Sequence, residues 1–182
     1  MQATPIPTDF PTLKPTTEIP TLSPTHLMPA PPIGQGTEWI QVASDIDGPV
    51  AGDFAGSCVD LSSDGLAVVV GFSGYDSPIA DAGLLRIYTF QTSSWVQLGN
   101  DITVTTEPKN IGGSCKLSDT GRAVITYSDI IGEARVFIFD DATASWTQRG
   151  QVLVGTPGDG RNVVDISGDG IWEWKHGNSP RL

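Results

Sequence analysis

The sequence predicts an all-β fold built from a repeated four-stranded antiparallel unit, and three observations lead to this prediction. A frame of the form Trp-x-Gln-x-Gly/Ala-x-x-Ile/Leu begins three times, at Trp39, Trp95 and Trp146. A second frame, Leu/Ile-Ser-x-x-Gly, follows each copy and ends at Gly65, Gly121 and Gly170. Between the frames lie β-branched and aromatic runs of strand length, and no stretch has the period of a helix.

The spacing of the repeats identifies the unit. Trp39 and Trp95 are 56 residues apart and Trp95 and Trp146 are 51 apart, close to the roughly 40 to 50 residues of a propeller blade. After a strand that starts at the Trp, the first cycle has predicted strands at 56–61, 66–71 and 84–90. The second cycle repeats them at 112–117, 122–127 and 135–139. We therefore predict two four-stranded antiparallel β-propeller blades and a partial third, an incomplete propeller.

These frames resemble the repeats of WD40-like, Kelch-like and FG-GAP-like propellers, especially extracellular ones that stand behind Pro/Thr-rich stalks. The resemblance covers about residues 39–170. No Trp-Asp dipeptide closes a blade, no Gly-Gly pair stands at the Kelch position and no Phe-Gly-Gly-Ala-Pro is present. The resemblance therefore implies blades but does not select one repeat family.

Composition divides the chain. Nine of the fourteen prolines lie between Pro5 and Pro32, and such a density fixes φ and removes backbone donors. We expect a disordered Pro/Thr-rich stalk or linker at 1–35, a partial propeller at 36–175 and a disordered tail at 176–182. Thr and Ser beside Pro are typical of O-glycosylated stalks, which predicts an extracellular or cell-surface protein. An unmodified linker is the alternative.

The third repeat departs from its template. Trp172 stands where the other copies have Ala67 and Ala123, and Glu173 stands where they have valine. Residues 171–182 are therefore predicted to be a foreign or capping end rather than a blade strand. Two and a half repeats do not close a ring, so open sheet edges would favour self-association.

The charge balance restricts the partners. The chain has 21 Asp and Glu against 10 Lys and Arg, which argues against binding to a nucleic-acid backbone. No apolar run reaches about 18 residues, so membrane insertion is not expected. The N-terminus has no signal-peptide pattern. A protein or a glycan is the predicted partner.

The long loops are the candidate binding surface. Because antiparallel strands reverse at each connection, the loops at 47–55, 72–83, 103–111 and 128–132 should share one face. Long loops on a rigid scaffold commonly carry binding residues. The predicted ligand-binding residues are Asp47, Asp53, Tyr75, Asp76, Asp81 and Asp129. The competing interpretation is that these acidic loops only keep the protein soluble.

The sequence offers few candidate catalytic residues. The two histidines, His26 and His176, lie outside the regular repeats, which excludes a Ser/His/Asp triad within them. We therefore predict a non-enzymatic binding or adhesion module without a cofactor. The alternative is a fragment of a propeller enzyme, or of a calcium-binding propeller, whose functional blades are absent.

Calcium is the one metal that the sequence suggests. Two stretches resemble the start of a calcium loop, with oxygens at Asp60, Ser62, Asp64, Asp165, Ser167 and Asp169. The twelfth position, where such a loop needs Glu, holds Gly71 in the first stretch and His176 in the second. A Ser-x-Asp-Gly hairpin turn is therefore favoured over a bound ion.

The remaining repeated residues are predicted to be structural. Trp39, Trp95 and Trp146 are expected to pack between blades, and Gly65, Gly121 and Gly170 to close turns. Cys58 and Cys115 are one residue out of register when the repeats are aligned. We expect them to point to opposite faces of their strands and to be buried free thiols rather than a disulfide.

Overall fold

The computed structural model describes residues 40–105, 110–128, 130–155, 164–171 and the backbone of 173–175. All of them belong to one compact unit, Ile40–Leu182. The predicted stalk at 1–35, Trp39, Asp129 and the predicted tail at 176–182 lie outside the described residues. The described part is built of β-strands and turns, and no helix in it is long and apolar enough to cross a bilayer.

The first sheet, blade 1, has its strands in chain order. They are β1 (Ala55–Leu61), β2 (Ala67–Phe72), β3 (Leu84–Gln91) and β4 (Ser94–Gln97), each antiparallel to the next. A short strand, β5 (Ile102–Thr103), pairs with β3 beyond the end of β4. The outermost strand of blade 1 is thus made of two pieces.

The second sheet, blade 2, repeats this arrangement. Its strands are β6 (Ser114–Leu117), β7 (Ala123–Ser128), β8 (Glu133–Asp140) and β9 (Ser145–Val154). The third sheet, blade 3, contains β10 (Val164–Ile166) and β11 (Glu173–Lys175) within the described residues. The prediction of four-stranded antiparallel sheets and a partial third is confirmed.

Two local predictions are wrong. Residues 40–42 form no strand, because none of the described strands is placed to pair with them and a lone extended segment cannot complete a ladder. Glu173–Lys175, predicted as part of a foreign end, is a strand in which Glu173 pairs with Ile166. Val68 and Val124 pair with the same position in blades 1 and 2. The preceding turn sets this register through the backbone, whatever the side chains.

The blades stack face to face, and the core lies between them. We call the face that a blade turns toward the next blade in chain order its trailing face, and the other its leading face. Blade 1 contributes its trailing face, which carries Ala67, Val69, Leu85 and Ile87. Blade 2 contributes the opposite, leading face, defined by Cys115, Leu117, Val124 and Trp146. A second core joins the trailing face of blade 2 to Val164 and Ile166 of blade 3. Since β6 also lies beside both β1 and β10, the sheets have the arrangement of propeller blades.

Cys58 and Cys115 form a disulfide with a Cα–Cα distance of 5.8 Å, so the prediction of free thiols is wrong. The two cysteines do lie on opposite faces of their sheets. However, consecutive blades meet through opposite faces, so the trailing Cys58 faces the leading Cys115. The position of the two cysteines on opposite faces of their sheets therefore favours the disulfide instead of preventing it.

The Ser-x-x-Gly frames are the tight turns that join the first two strands of each blade. In the first, the amide of Gly65 donates to the carbonyl of Ser62 at 2.9 Å. The second and third repeats make the same bond at Gly121 and Gly170. All three glycines have φ between 67° and 73°, a left-handed conformation that a side chain disfavours.

Candidate ligand-binding loop face

The described loops at the predicted face are joined by backbone hydrogen bonds. The amide of Gly74, in the loop between β2 and β3, donates to the carbonyl of Asp53 in the loop before β1 at 3.0 Å. The amide of Asn110, in the loop before β6, donates to the carbonyl of Asp81 at 2.8 Å. Three loops from two blades thus form one connected surface, which we call the loop face (residues 47–54, 73–83 and 110–113).

Two of the predicted ligand-binding carboxylates stabilise their own loops. Asp53 is only 6% exposed, and its Oδ2 accepts a hydrogen bond from the amide of Val50 at 2.7 Å. Asp76 is exposed, but its Oδ1 accepts from the amide of Asp81 at 2.8 Å. These bonds hold the two loops in fixed shapes. Asp53 is therefore a loop-closing residue, and Asp76 has one oxygen left for a ligand.

The other predicted residues divide between surface and scaffold. Asp47 and Asp81 are exposed, and Asp81 has a left-handed φ of 54°. Tyr75 is half-buried against the cluster of Val68, Val70, Phe72 and Leu84, and its carbonyl accepts from the amide of Gly83 at 2.9 Å. Asp129 lies outside the described residues. The open carboxylates of the loop face are therefore those of Asp47, Asp76 and Asp81.

The sequence did not predict that apolar side chains on these loops are exposed. Phe54 is 68% exposed and Val50 is 64% exposed. Phe54 also has a φ of 54°, which is unfavourable for a bulky residue and occurs mainly where the surrounding structure imposes it. Its ring lies against the backbone of Gly74. The sequence does place Phe54 in the loop directly before β1. Because an aromatic residue in a loop is commonly buried, this position alone does not predict that Phe54 is exposed.

The predicted calcium ligands are engaged in turns and between blades. Ser62 Oγ donates to Asp64 Oδ1 at 2.6 Å, and the same oxygen accepts from the amide of Leu66. Asp60 instead reaches blade 2, where its carboxylate accepts from the amide of Leu117 at 2.8 Å and from Lys116 Nζ at 3.2 Å. The carboxylates of Asp60 and Asp64 therefore accept hydrogen bonds from different partners, one across the blade interface and one within the turn.

The third repeat makes the same turn. Ser167 Oγ donates to Asp169 Oδ1 at 2.6 Å, and this oxygen accepts from the amide of Ile171. The bond from Ser167 lowers the pKa of Asp169 below its usual value. Asp165 is exposed on β10. Among the described residues, no three His, Cys, Asp or Glu side chains gather as a metal site would require.

No protein-family model and no curated protein matches the chain. Among solved structures, it is similar to a candidate 6-phosphogluconolactonase of Bacteroides fragilis, with 14% identity and a TM-score of 0.47 over 67% of this chain and 31% of that one. It is also similar to a protein of Lactobacillus plantarum, with 12% identity and a TM-score of 0.41 over 62% and 32% of the two chains.

A third similar structure is hydrazine synthase of Kuenenia stuttgartiensis. Its identity is 17% and its TM-score 0.38, over 62% of this chain and 27% of that one. The chain thus spans about a third of the length of these structures or less. Similarities of this size carry no inference about activity, and the class of the protein, a stack of propeller-type blades, rests on its own sheets.

Proposed function

We propose that the chain is a non-enzymatic binding module of an extracellular repeat protein of the WD40-like, Kelch-like and FG-GAP-like kind, whose loop face recognises a protein or a glycan. The observation that carries the proposal is the exposed ring of Phe54 on a loop face that also presents open carboxylates. An exposed aromatic ring supplies a large contact area to proteins and to sugar rings alike.

The shape of the loop face supports recognition by a preformed surface. The Asp53 and Asp76 hydrogen bonds fix the loops on either side of Phe54, and the ring rests on Gly74. A surface that is already ordered loses little conformational entropy when it binds. The ligand would therefore meet Phe54 and Val50 in positions that change little on binding.

The charge of the loop face favours a basic ligand. Asp47, Asp76 and Asp81 carry negative charge on a chain whose net charge is −11. Complementary charge accelerates association and selects against acidic partners. We therefore expect a basic protein segment or an amino-sugar-containing glycan to bind more tightly than a neutral one, with an affinity that falls as salt rises.

The proposed extracellular location rests on two observations. Cys58 and Cys115 are disulfide-bonded, and disulfides persist in oxidising compartments. The Pro/Thr-rich composition of residues 1–35 fits a stalk that would carry the blades away from a surface.

The test is binding of the full chain to a glycan array and to a peptide array of basic, neutral and acidic segments. Two variants address the loop face: Asp81→Lys reverses an exposed charge, and Phe54→Asn removes the ring while keeping a residue type that tolerates a left-handed φ. We expect each to weaken binding about tenfold or more.

Asp141→Lys is the matched control. Asp141 is exposed in the turn between β8 and β9, at the opposite end of the strands, and its ion pair with Arg122 lies at the surface. This variant should bind like the unmodified chain. The proposal fails if neither array gives a bound probe, or if Asp81→Lys and Phe54→Asn bind as well as the control.

A further inference from the structure

The segment in front of blade 1, residues 40–46, repeats the hydrogen bonds of residues 96–102, which hold the two pieces of the outer strand of blade 1. In each segment a glutamine Nε2 donates to the carbonyl two residues later and to an aspartate four residues later. The two distances are 2.7 and 2.8 Å for Gln41, and 3.2 and 2.8 Å for Gln97. Residues 40–46 therefore have the local fold of an outer strand.

Both segments lie on the leading face of the blade that follows them. Ile102 belongs to the core between blades 1 and 2. Its counterpart, Ile46, packs on the apolar cluster of blade 1 that includes Val68 and Val70. Residues 40–46 thus lie where the outer strand of a sheet in front of blade 1 would lie.

The two segments differ in the strand that pairs with them. β3 pairs with both β4 and β5, and the carbonyl of Ile87 in β3 accepts from the amide of Leu98 at 2.7 Å. Within the part of the chain that the structure describes, residues 40–46 have no such strand, and the amide of Val42, the counterpart of Leu98, has no acceptor. Unpaired backbone groups of this kind are a template for another strand.

The position of a basic side chain is open as well. Arg86 of β3 forms a bidentate ion pair with Asp101, an arrangement that adds strength and specificity. Asp45, the counterpart of Asp101, is exposed. Among the described residues, Gln41 donates to its carboxylate and no cation reaches it. A strand that paired with residues 40–46 would therefore find a carboxylate placed for one basic residue.

An apolar cavity of about 400 Å³ lies between residues 40–46 and the leading face of blade 1. Its apolar lining includes Val59, Val68, Val70 and Trp95. In the interface of blades 1 and 2, the side chains on either side of Arg86 are those of Leu85 and Ile87, and both are buried in the core between the blades. The cavity therefore suits two aliphatic side chains that flank the basic residue.

We propose that this surface, which we call the strand site (residues 40–46 with Val59, Val68, Val70 and Trp95), binds a β-strand of a partner protein in which a basic residue stands between two aliphatic ones. The strand pairs antiparallel with residues 40–46, its aliphatic side chains enter the cavity, and its basic side chain reaches Asp45. In such strand addition, main-chain hydrogen bonds give affinity and side-chain pockets give specificity.

The strand site is separate from the loop face. Neither Phe54 nor Asp81, which are central to the proposed function, lines the cavity. Loss of binding at one surface therefore does not require loss at the other, and the two proposals fail independently.

The test uses a fluorescein-labelled peptide with the sequence of residues 83–92, which contains β3 with Leu85, Arg86 and Ile87. Fluorescence anisotropy measures its binding to the full chain. We expect saturable binding, and binding weaker by about tenfold or more when the peptide carries Arg86→Glu. Hydrogen exchange should slow at the amides of residues 40–46 when the peptide is bound.

Asp45→Lys in the full chain completes the charge exchange. It should weaken binding of the unchanged peptide about tenfold or more and strengthen binding of the Arg86→Glu peptide, since the two charges then attract. Because Asp45 is exposed, the variant should keep the circular dichroism spectrum of the unmodified chain. Asp81→Lys is the matched control, since it makes the same change of charge on the loop face and should bind the unchanged peptide normally.

Absence of peptide binding at every concentration overturns the proposal and leaves the surface to another occupant, such as residues 1–39 or a second copy of the chain. Equal affinity of the Asp45→Lys and Asp81→Lys variants for the unchanged peptide also overturns it. So does binding that leaves hydrogen exchange in residues 40–46 unchanged, because the peptide would then be held elsewhere.

Discussion

Asp101 illustrates how a single side chain can tie the two pieces of an outer strand to the rest of a blade. Its carboxylate forms a bidentate ion pair with Arg86 of β3, with distances of 2.7 Å from Nε and 2.8 Å from Nη2. Gln97 of β4 donates to the same carboxylate at 2.8 Å. The hydrogen bonds from Arg86 lower the pKa of Asp101.

We predict that Asp101→Asn reduces stability at neutral pH and flattens its dependence on acid pH. The depressed folded-state pKa means that the ion pair stabilises the protein above the unfolded pKa of about 3.9 and is lost as pH falls through the folded value. Because both side chains are partly exposed, the loss at neutral pH should be roughly 1 kcal/mol.

Urea unfolding at a series of pH values checks this prediction. The difference in unfolding free energy between the unmodified chain and Asp101→Asn should shrink as the pH falls below about 4. A difference that stays constant from neutral to acid pH would show that the charge of Asp101 does not contribute.

The candidate residues of the loop face were partly predictable. The sequence placed Asp47, Asp53, Asp76 and Asp81 in loops on one side of the strands, since alternation of strand direction follows from the repeat. It did not show that Asp53 is bonded to the amide of Val50, because that depends on the path of the loop. The exposed Phe54 was not predicted for the same reason.

At the scale of elements, the outer strands differ in what they pack against. Trp146 of β9 is 5% exposed, and its Nε1 donates to the carbonyl of Leu98 in blade 1 at 2.7 Å. The equivalent Trp95 of β4 is half-buried on the leading face of blade 1. Both rings contact an aromatic of the preceding strand, Phe139 and Phe90 respectively.

We therefore predict different costs for the same substitution in the two repeats. Trp146→Ala removes a ring buried between two blades and should lower the unfolding free energy by roughly 3 to 5 kcal/mol. Trp95→Ala should lower it by about half as much or less, because its ring is already partly solvated. Measurement in dilute protein by guanidinium unfolding avoids any contribution from association.

Trp95→Ala serves as the control for Trp146→Ala, since residue type, strand position and aromatic neighbour are the same. Equal losses for the two variants would contradict the assignment of Trp146 to the interface between blades.

Strand positions were largely predictable, because β-branched runs and turn glycines alternate regularly. The predicted span 84–90 differs from β3 by one residue at its end. The strand predictions fail where the presence of a partner strand, rather than the local sequence, determines whether a strand forms. Residues 40–42 have a strand-like sequence but no partner among the described strands, whereas Glu173–Lys175 has an unusual sequence but follows a turn that brings it beside β10.

At the scale of the whole molecule, the stacking of blades through opposite faces accounts for most of the structure. It explains the shared core of blades 1 and 2, the contact of Gly121 with Ala67 and the bond between Asp60 and blade 2. The number of repeats was readable from the sequence. Which faces meet was not, and this is why the pairing of Cys58 with Cys115 was missed.

The most direct test of the stacking is the state of the two cysteines. The full chain, produced in an oxidising compartment and never reduced, is alkylated, digested and mapped by mass spectrometry. We predict one linked pair of peptides, containing Cys58 and Cys115 of the same chain, and no alkylated cysteine. Alkylation of both thiols in the folded protein, or a bond between cysteines of different chains, would contradict the face-to-face arrangement of blades 1 and 2.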